Sequence, residues 1–154
     1  MPERSAVATA VLDAPPDAVW YVVADGGRVV SWWPRAERVE DVQGGRFTLV
    51  LRSSRGVPVR MDWRVARSRR EQVQRWEQEL AGTPFEKAIS SHAIELRMSP
   101  LPDDPQRTRV EVQVERDLVQ RGIVAGVLGR RSARRHAGEV LAGLRSALGA
   151  ADDA

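Results

Sequence analysis

The sequence predicts an α+β fold, an antiparallel sheet closed by one long helix, on three observations. Four successive segments between Val59 and Glu115 alternate apolar and polar residues, which marks strands with one buried and one wet face. Short helical segments near the start and one long helical pattern, Asp117 to Leu148, flank them. Helices set apart from an antiparallel sheet define the class. Since nothing else in the chain is large enough to cover the buried sheet face, the long helix is expected to lie on it.

In order, Ser5 to Leu12 is rich in alanine and β-branched residues and reads as a strand, at an edge or inside the sheet. Asp13-Ala14-Pro15-Pro16-Asp17 ends it. Asp13 or Asp17 is positioned to cap a short helix carrying Ala18, Val19, Tyr21, Val22 and Val23, which Asp25-Gly26-Gly27 stops. Val29 to Pro34 forms a second turn or short helix ending at Trp32-Trp33-Pro34. Hairpins follow. Gly44-Gly45 joins Val39–Val42 to Arg46–Arg52, a pair suited to a two-residue turn with positive φ. Strands then run through Val59–Ala66, Gln74–Leu80, His92–Met98 and Arg109–Glu115. Arginine and glutamate mix on their polar side, which reads as a solvated face with cross-strand pairs of a few tenths of a kcal/mol each (~0.2–1). The domain is expected over residues 5–148, with a polar tail from Gly149 to Ala154.

Along the long helix, Gly122, Gly126, Gly129, Ala133 and Ala137 form one stripe of small residues, continued by Val140, Leu141, Leu144 and Leu148. Each interior glycine, Gly138 and Gly143 included, costs a helix roughly 1 kcal/mol relative to alanine. Either the thin half leaves a cavity beneath it, or it lets backbones approach closely, or the glycines follow from composition.

The chain has 154 residues and a formal charge of +3, no cysteine, and Lys87 as its only lysine. That size suits one domain with a real core. The absence of cysteine excludes disulfides, a thiolate nucleophile and cysteine metal sites; with two histidines, no metal site and no cofactor is expected. So small a net charge gives little support to nucleic-acid binding. No apolar run approaches the ~20 residues of a membrane span and the first residues lack a signal-peptide layout, so a cytoplasmic location without stable membrane anchoring is expected. Neither a phosphate loop nor a nucleophile elbow is present. The sequence sets no oligomeric state.

Three segments resemble a known superfamily. Asp13-Ala14-Pro15-Pro16-Asp17-Ala18-Val19-Trp20 is similar to its strand-exit and first-helix signature, and Trp32-Trp33-Pro34 to its second helix. Arg75 to Gly82 together with Ser91 to Leu96 resembles its central strands. From Ser5 to Leu148 the chain thus looks like a member of the START-like, or SRPBCC, superfamily, in its polyketide cyclase/dehydrase and lipid-transport branch. The resemblance implies a helix-grip fold, a curved antiparallel sheet of about seven strands wrapped around the C-terminal helix, with two short helices after the first strand. It also implies an apolar cavity for a hydrophobic or amphipathic small molecule. Fold alone does not choose between carrier, cyclase or interaction module.

Strand parity turns Phe47, Leu49, Met61, Trp63, Trp76, His92, Ile94, Leu96, Val112 and Val114 toward the helix, with Gln74 and Gln78 on the same face. A buried amide there needs a partner, since an unsatisfied one costs ~1–3 kcal/mol. Of these, Phe47, Leu49, Met61, Trp63, Trp76, Gln78, His92 and Ile94, with Gly126, Gly129 and Ala133, are the candidate ligand lining, His92 being the one titratable group on the apolar face. Arg130 and Arg134 share one side of the helix and Arg131 and Arg135 the next. The first two are candidates to meet an acidic headgroup at the cavity mouth, whereas Glu139 is a candidate partner for Arg135. His136 is expected on the helix surface.

The first reading is binding of a hydrophobic or amphipathic molecule such as a lipid or polyketide. In the second, a cyclase or dehydratase, His92 and Tyr21 are the catalytic candidates, with Trp76 and a mouth arginine orienting the chain. The third is an interaction module that presents Trp32, Trp33 and the arginine-rich helix face to a protein or membrane.

Overall fold

The computed structural model describes residues 5–53, 55–119 and 123–152, with side chains described for 5–53, 55–119 and 130–149. Seven antiparallel strands form one sheet in the order β1-β7-β6-β5-β4-β3-β2. They are β1 (Ser5–Leu12), β2 (Ala36–Gln43), β3 (Arg46–Arg52), β4 (Pro58–Arg69), β5 (Val73–Glu79), β6 (Ile89–Leu101) and β7 (Asp104–Leu118). Two helical segments, α1 (Pro16–Val23) and the 3-10 turn η1 (Gly26–Ser31), link the two edge strands β1 and β2; α2 (Ile123–Asp152) closes the chain. This is the expected helix-grip arrangement.

Local chemistry explains the short elements. Pro16 opens α1 at a position whose N–H would be unpaired in any case. Pro15 occupies the N-cap without a side-chain hydrogen bond, so neither Asp13 nor Asp17 caps it as expected. α1 ends at Val23, just before Asp25-Gly26-Gly27 as expected, and Asp25 also caps η1, accepting from the Gly27 N–H at 2.8 Å. Gly44 and Gly45 turn from β2 to β3 with φ of 58° and 76°.

The long helix starts later than its periodicity implied. Asp117 and Leu118 pair with Ser91 and Ile89 as the end of β7, because the extended β6 gives them strand partners. At the other end α2 continues through Gly149 to Asp152, where a polar tail was expected. Its buried stripe runs from Ala133 and Ala137 to Val140, Leu141, Leu144 and Leu148, small and then large. Gly122 lies outside the described residues, as do the surroundings of Gly126 and Gly129.

α2 does not cover the sheet alone. Its main sheet contacts are to β1 and β7. The concave face of β3, β4 and β5 is covered instead by Trp32 and Trp33, which follow η1. Trp33 lies 4.9 Å from Trp63, 5.9 Å from Trp76 and 6.1 Å from Phe47, and Trp32 lies 5.3 Å from Trp76. Both are almost completely buried, so the aromatic pair that the interaction-module reading needed at the surface is core. Each such side chain buries roughly 150–250 Å².

The polar side of the sheet is less wet than expected. Glu95 is buried on it, held by Arg97 at 2.8 Å and Arg75 at 3.6 Å, while Arg75 also reaches Glu115 at 2.6 Å. The hydrogen bond to Glu115 raises the Arg75 pKa further above its already high value.

One glycine of α2 has a clear structural reason. A Cβ at Gly143 would lie 2.0 Å from the Trp32 carbonyl oxygen, whereas one at Gly138 would meet nothing within 4 Å. Close backbone approach therefore accounts for Gly143, though the approach is to the Trp32 backbone and not to the sheet. Gly143→Ala is expected to destabilise the fold by several kcal/mol, since backbone must shift, at or above the ~1–3 kcal/mol of ordinary overpacking. Gly138→Ala should stabilise it by about 1 kcal/mol. Urea unfolding of the two variants gives opposite signs if this packing is right.

Candidate functional site

One cross-strand row carries the polar chemistry of the concave face. Trp63 on β4 pairs with Gln78 on β5, and His92 on β6 pairs with Arg116 on β7. Between them Gln78 Oε1 and His92 Nδ1 are 2.8 Å apart. The β5–β6 ladder stops at Glu77–Ala93, one residue short of this pair. Released from ladder pairing, the Gln78 and His92 side chains meet through their own polar atoms. On the other side Arg116 Nη2 lies 3.3 Å from His92 Nε2, and Arg116 Nη1 donates to Ser132 Oγ of α2 at 2.9 Å. His136, one turn along α2, puts its ring 6.5 Å from that of His92, and Trp63 stacks edge-on to His92 at 4.9 Å.

The charge state of His92 follows from these neighbours. Gln78 Oε1 can only accept and a guanidinium can only donate, so the network selects the neutral tautomer with its proton on Nδ1. Burial, then the charge of Arg116, then His136, push its pKa well below the usual histidine value. Burial and the charges of Arg116 and Arg35 lower His136 to about 4. Both imidazoles are therefore neutral at pH 7, and both nitrogens of His92 are engaged. Among the described residues Arg116 has no carboxylate partner, and burial lowers its pKa from the usual arginine value.

Several buried polar atoms around this row have no hydrogen-bond partner among the described residues: Trp63 Nε1, Gln78 Nε2 and His136 Nε2, besides Trp32 Nε1 and Gln74 Oε1 farther off. The first three belong to residues that touch or flank His92. Each would cost ~1–3 kcal/mol if left unpaired. Together with Arg116 they are groups that an oxygen-bearing molecule satisfies.

The remaining candidates separate. Leu49, Ile94 and Ala133 are fully buried core, and Met61 is half-buried. Phe47 and Trp76 line a different recess, a pocket of about 550 Å³ bounded by α1, η1 and the β2–β3 turn, to which no described residue of α2 contributes. Tyr21 is 62% exposed at the rim of that pocket, so the two catalytic candidates, Tyr21 and His92, do not converge. Arg130 and Arg134 are exposed, as are Arg131 and Arg135; the cation beside His92 is Arg116. Glu139 faces Arg35 at 4.0 Å, not Arg135. His136 turns inward from the helix surface expected for it. Arg116 was missed, although the parity of Val110, Val112 and Val114 continues to it; starting the helix at Asp117 hid that signal.

The titration of His136 has a measurable consequence. A folded value of about 4 against 6.5 unfolded means the unfolded chain takes up more protons between these values, so stability rises with pH across that window. The contribution is complete above pH 6.5 and lost toward pH 4, amounting to about 3 kcal/mol; His92 adds in the same direction. Urea midpoints at pH 7 and pH 4 should show this loss, and His136→Phe should remove a large part of it. An unchanged acid dependence in the variant contradicts the inward placement of the ring.

The comparisons agree with the fold. No curated relative matches the chain. Among solved structures it is similar to the Zhui aromatase/cyclase from Streptomyces sp. R1128, with TM-score 0.67 and 24% identity over 97% of this chain and 93% of that one. A START superfamily protein from Mycobacterium smegmatis gives TM-score 0.66 at 15% identity, covering 97% of each chain. XoxI from Bacillus cereus gives 0.72 at 13%, covering 97% of this chain and 98% of that one. Among the described residues no helix is long and apolar enough to cross a membrane. The family model for polyketide cyclase / dehydrase and lipid transport matches residues 3–149, and the chain belongs to that family, whose fold is built for binding hydrophobic ligands.

Proposed function

We propose that the protein binds an amphipathic small molecule, such as a lipid or polyketide acid, in the space between the sheet and α2. Its oxygen-bearing head lies on the Trp63–Gln78–His92–Arg116 row, and its apolar part against the neighbouring tryptophans. The observation that carries this reading is the cluster of unpartnered buried polar atoms around His92, next to a half-buried guanidinium without a carboxylate. Trp63 Nε1 and Gln78 Nε2 are donors, and Arg116 adds charge. An anionic or carbonyl oxygen is the complementary group.

Binding is favoured over turnover by the state of His92. Its two nitrogens are engaged by Gln78 and Arg116, so it has no free lone pair with which to take a proton. A cyclase or dehydratase reading is supported by one observation, the unpartnered Nε2 of His136. A group titrating at about 4 is a weak base at neutral pH, which places carriage first.

Binding of cis-parinaric acid, a fluorescent fatty acid, tests the head-group assignment. Arg116→Met should weaken it about 10- to 100-fold, matching the ~1.5–3 kcal/mol of a charged hydrogen bond, while the thermal midpoint of the free protein is kept or raised. The corresponding fatty alcohol should lose much less. Equal affinity of wild type and variant for the acid removes Arg116 from the site.

A further inference from the structure

We propose that the pocket between α1, η1 and the β2–β3 turn is a second small-molecule site, separate from the His92 row, for a flat aromatic molecule carrying one anionic oxygen group. Its volume of about 550 Å³ falls within the roughly 300–1,000 Å³ of small-molecule pockets. Aromatic rings from three elements bound it: Trp20 and Tyr21 from α1, Phe47 from β3 and Trp76 from β5. One face of the Tyr21 ring already carries the Arg28 guanidinium, 3.8 Å from its centroid; the remaining rings suit a planar guest, which gains offset or edge contacts beyond its buried area.

The mouth is open and sets apolar surface beside charged groups. Tyr21 and Val42, which both line the pocket, are 62% and 47% exposed. Large apolar side chains at one concave rim mark a binding surface better than the same residues scattered singly. Arg28 and Arg46 also line the pocket. Arg28 is engaged with Asp25 at 2.6 Å and with the Tyr21 hydroxyl at 2.6 Å. Arg46 is mostly exposed and held only loosely by Glu79 at 3.3 Å, so it is the cation available to a guest's anionic oxygen. The carboxylate of Asp25 is already used by the Gly27 N–H and Arg28, so it does not recruit a cation.

The backbone preforms the recess. β2 slips register against β3 between Glu40 and Gln43, with Asp41 at φ 53°. A bulge with a non-glycine residue in the left-handed region re-aims side chains and is costly unless its surroundings enforce it. Val42 and Gln43, which follow this irregularity, both line the pocket. On the facing side Gly26 lets η1 dock closely; a Cβ there would come within 3.1 Å of Val42 and 3.3 Å of Phe47. The walls thus keep their spacing without a guest.

A titration with 2-naphthoate, and with its uncharged analogue 2-naphthamide, tests the proposal on the whole protein. Saturable 2-naphthoate binding should shift the indole N–H resonances of Trp20 and Trp76 and leave that of Trp63 in place. Ala24 is exposed and lines the pocket, so Ala24→Trp should fill it and weaken binding at least tenfold. Val42→Glu, at the exposed rim, should do so as well and serves if the first variant fails to fold. The amide should bind several-fold more weakly than the acid, and Arg46→Gln should remove that difference. Arg116→Met, which acts on the other site, should change 2-naphthoate affinity less than twofold. The proposal is overturned by an absence of saturable binding, by shifts centred on Trp63, or by loss of binding in Arg116→Met with full binding in Ala24→Trp. Equal affinity for acid and amide overturns the anionic part of the assignment.

Discussion

A sheet of seven strands is far wider than a helix. At ~4.8 Å between strands it spans about 30 Å, against ~10 Å for a helix with its side chains. This mismatch governs the interior. α2 takes the side of β1 and β7, and the rest of the concave face would be open if Trp32 and Trp33 did not lie on it. Trp32 and Trp33, packed on Trp63, Trp76 and Phe47, do the work of a second helix, and they do it with flat groups that leave recesses at their edges. Trp63 belongs to both this wall and the polar row at His92, and Trp76 to both the wall and the aromatic pocket.

Burial of the polar row is expensive, and its composition shows how the cost is held down. Two imidazoles stay neutral because they are buried and, secondly, because the Arg116 cation stands beside them. The cation itself keeps hydrogen bonds to a histidine and to Ser132 but lacks a counter-charge among the described residues. Completing such a network with an apolar substitution is often more stable than leaving it half satisfied. Its retention here is what directs attention to a ligand, because an oxygen-bearing guest completes it without altering the chain.

Much of this was legible in the sequence. Period-two alternation located the strands, and parity turned Trp63, Trp76, Gln78 and His92 to one face, because the side-chain direction of a strand is a local property. Arg116 obeys the same parity and was lost only by letting the helical pattern run back into β7, where pairing with β6 overrides it. His136 was misplaced because spacing gives a helix face but not what lies over it. Tyr21 and His92 were grouped by chemistry, and only the three-dimensional path of α1 separates them. The β2 bulge and the contact of Gly143 with Trp32 depend on residues far apart in the chain, and no spacing rule reaches them. The burial of Glu95 was likewise invisible, since its alternation is that of a solvated residue.

Gly143 touches neither the His92 row nor the aromatic pocket, yet both inherit their shape from it. The hydrogen in place of a side chain lets α2 rest against the Trp32 carbonyl, and that contact sets how far Trp32 and Trp33 reach across the sheet. In terms of sequence drift, then, the side chains of the two recesses have more room to vary than position 143, where any Cβ meets backbone. Enlarging or reshaping the interior by evolution or by engineering has to proceed through the walls and leave this hinge of the packing as it is.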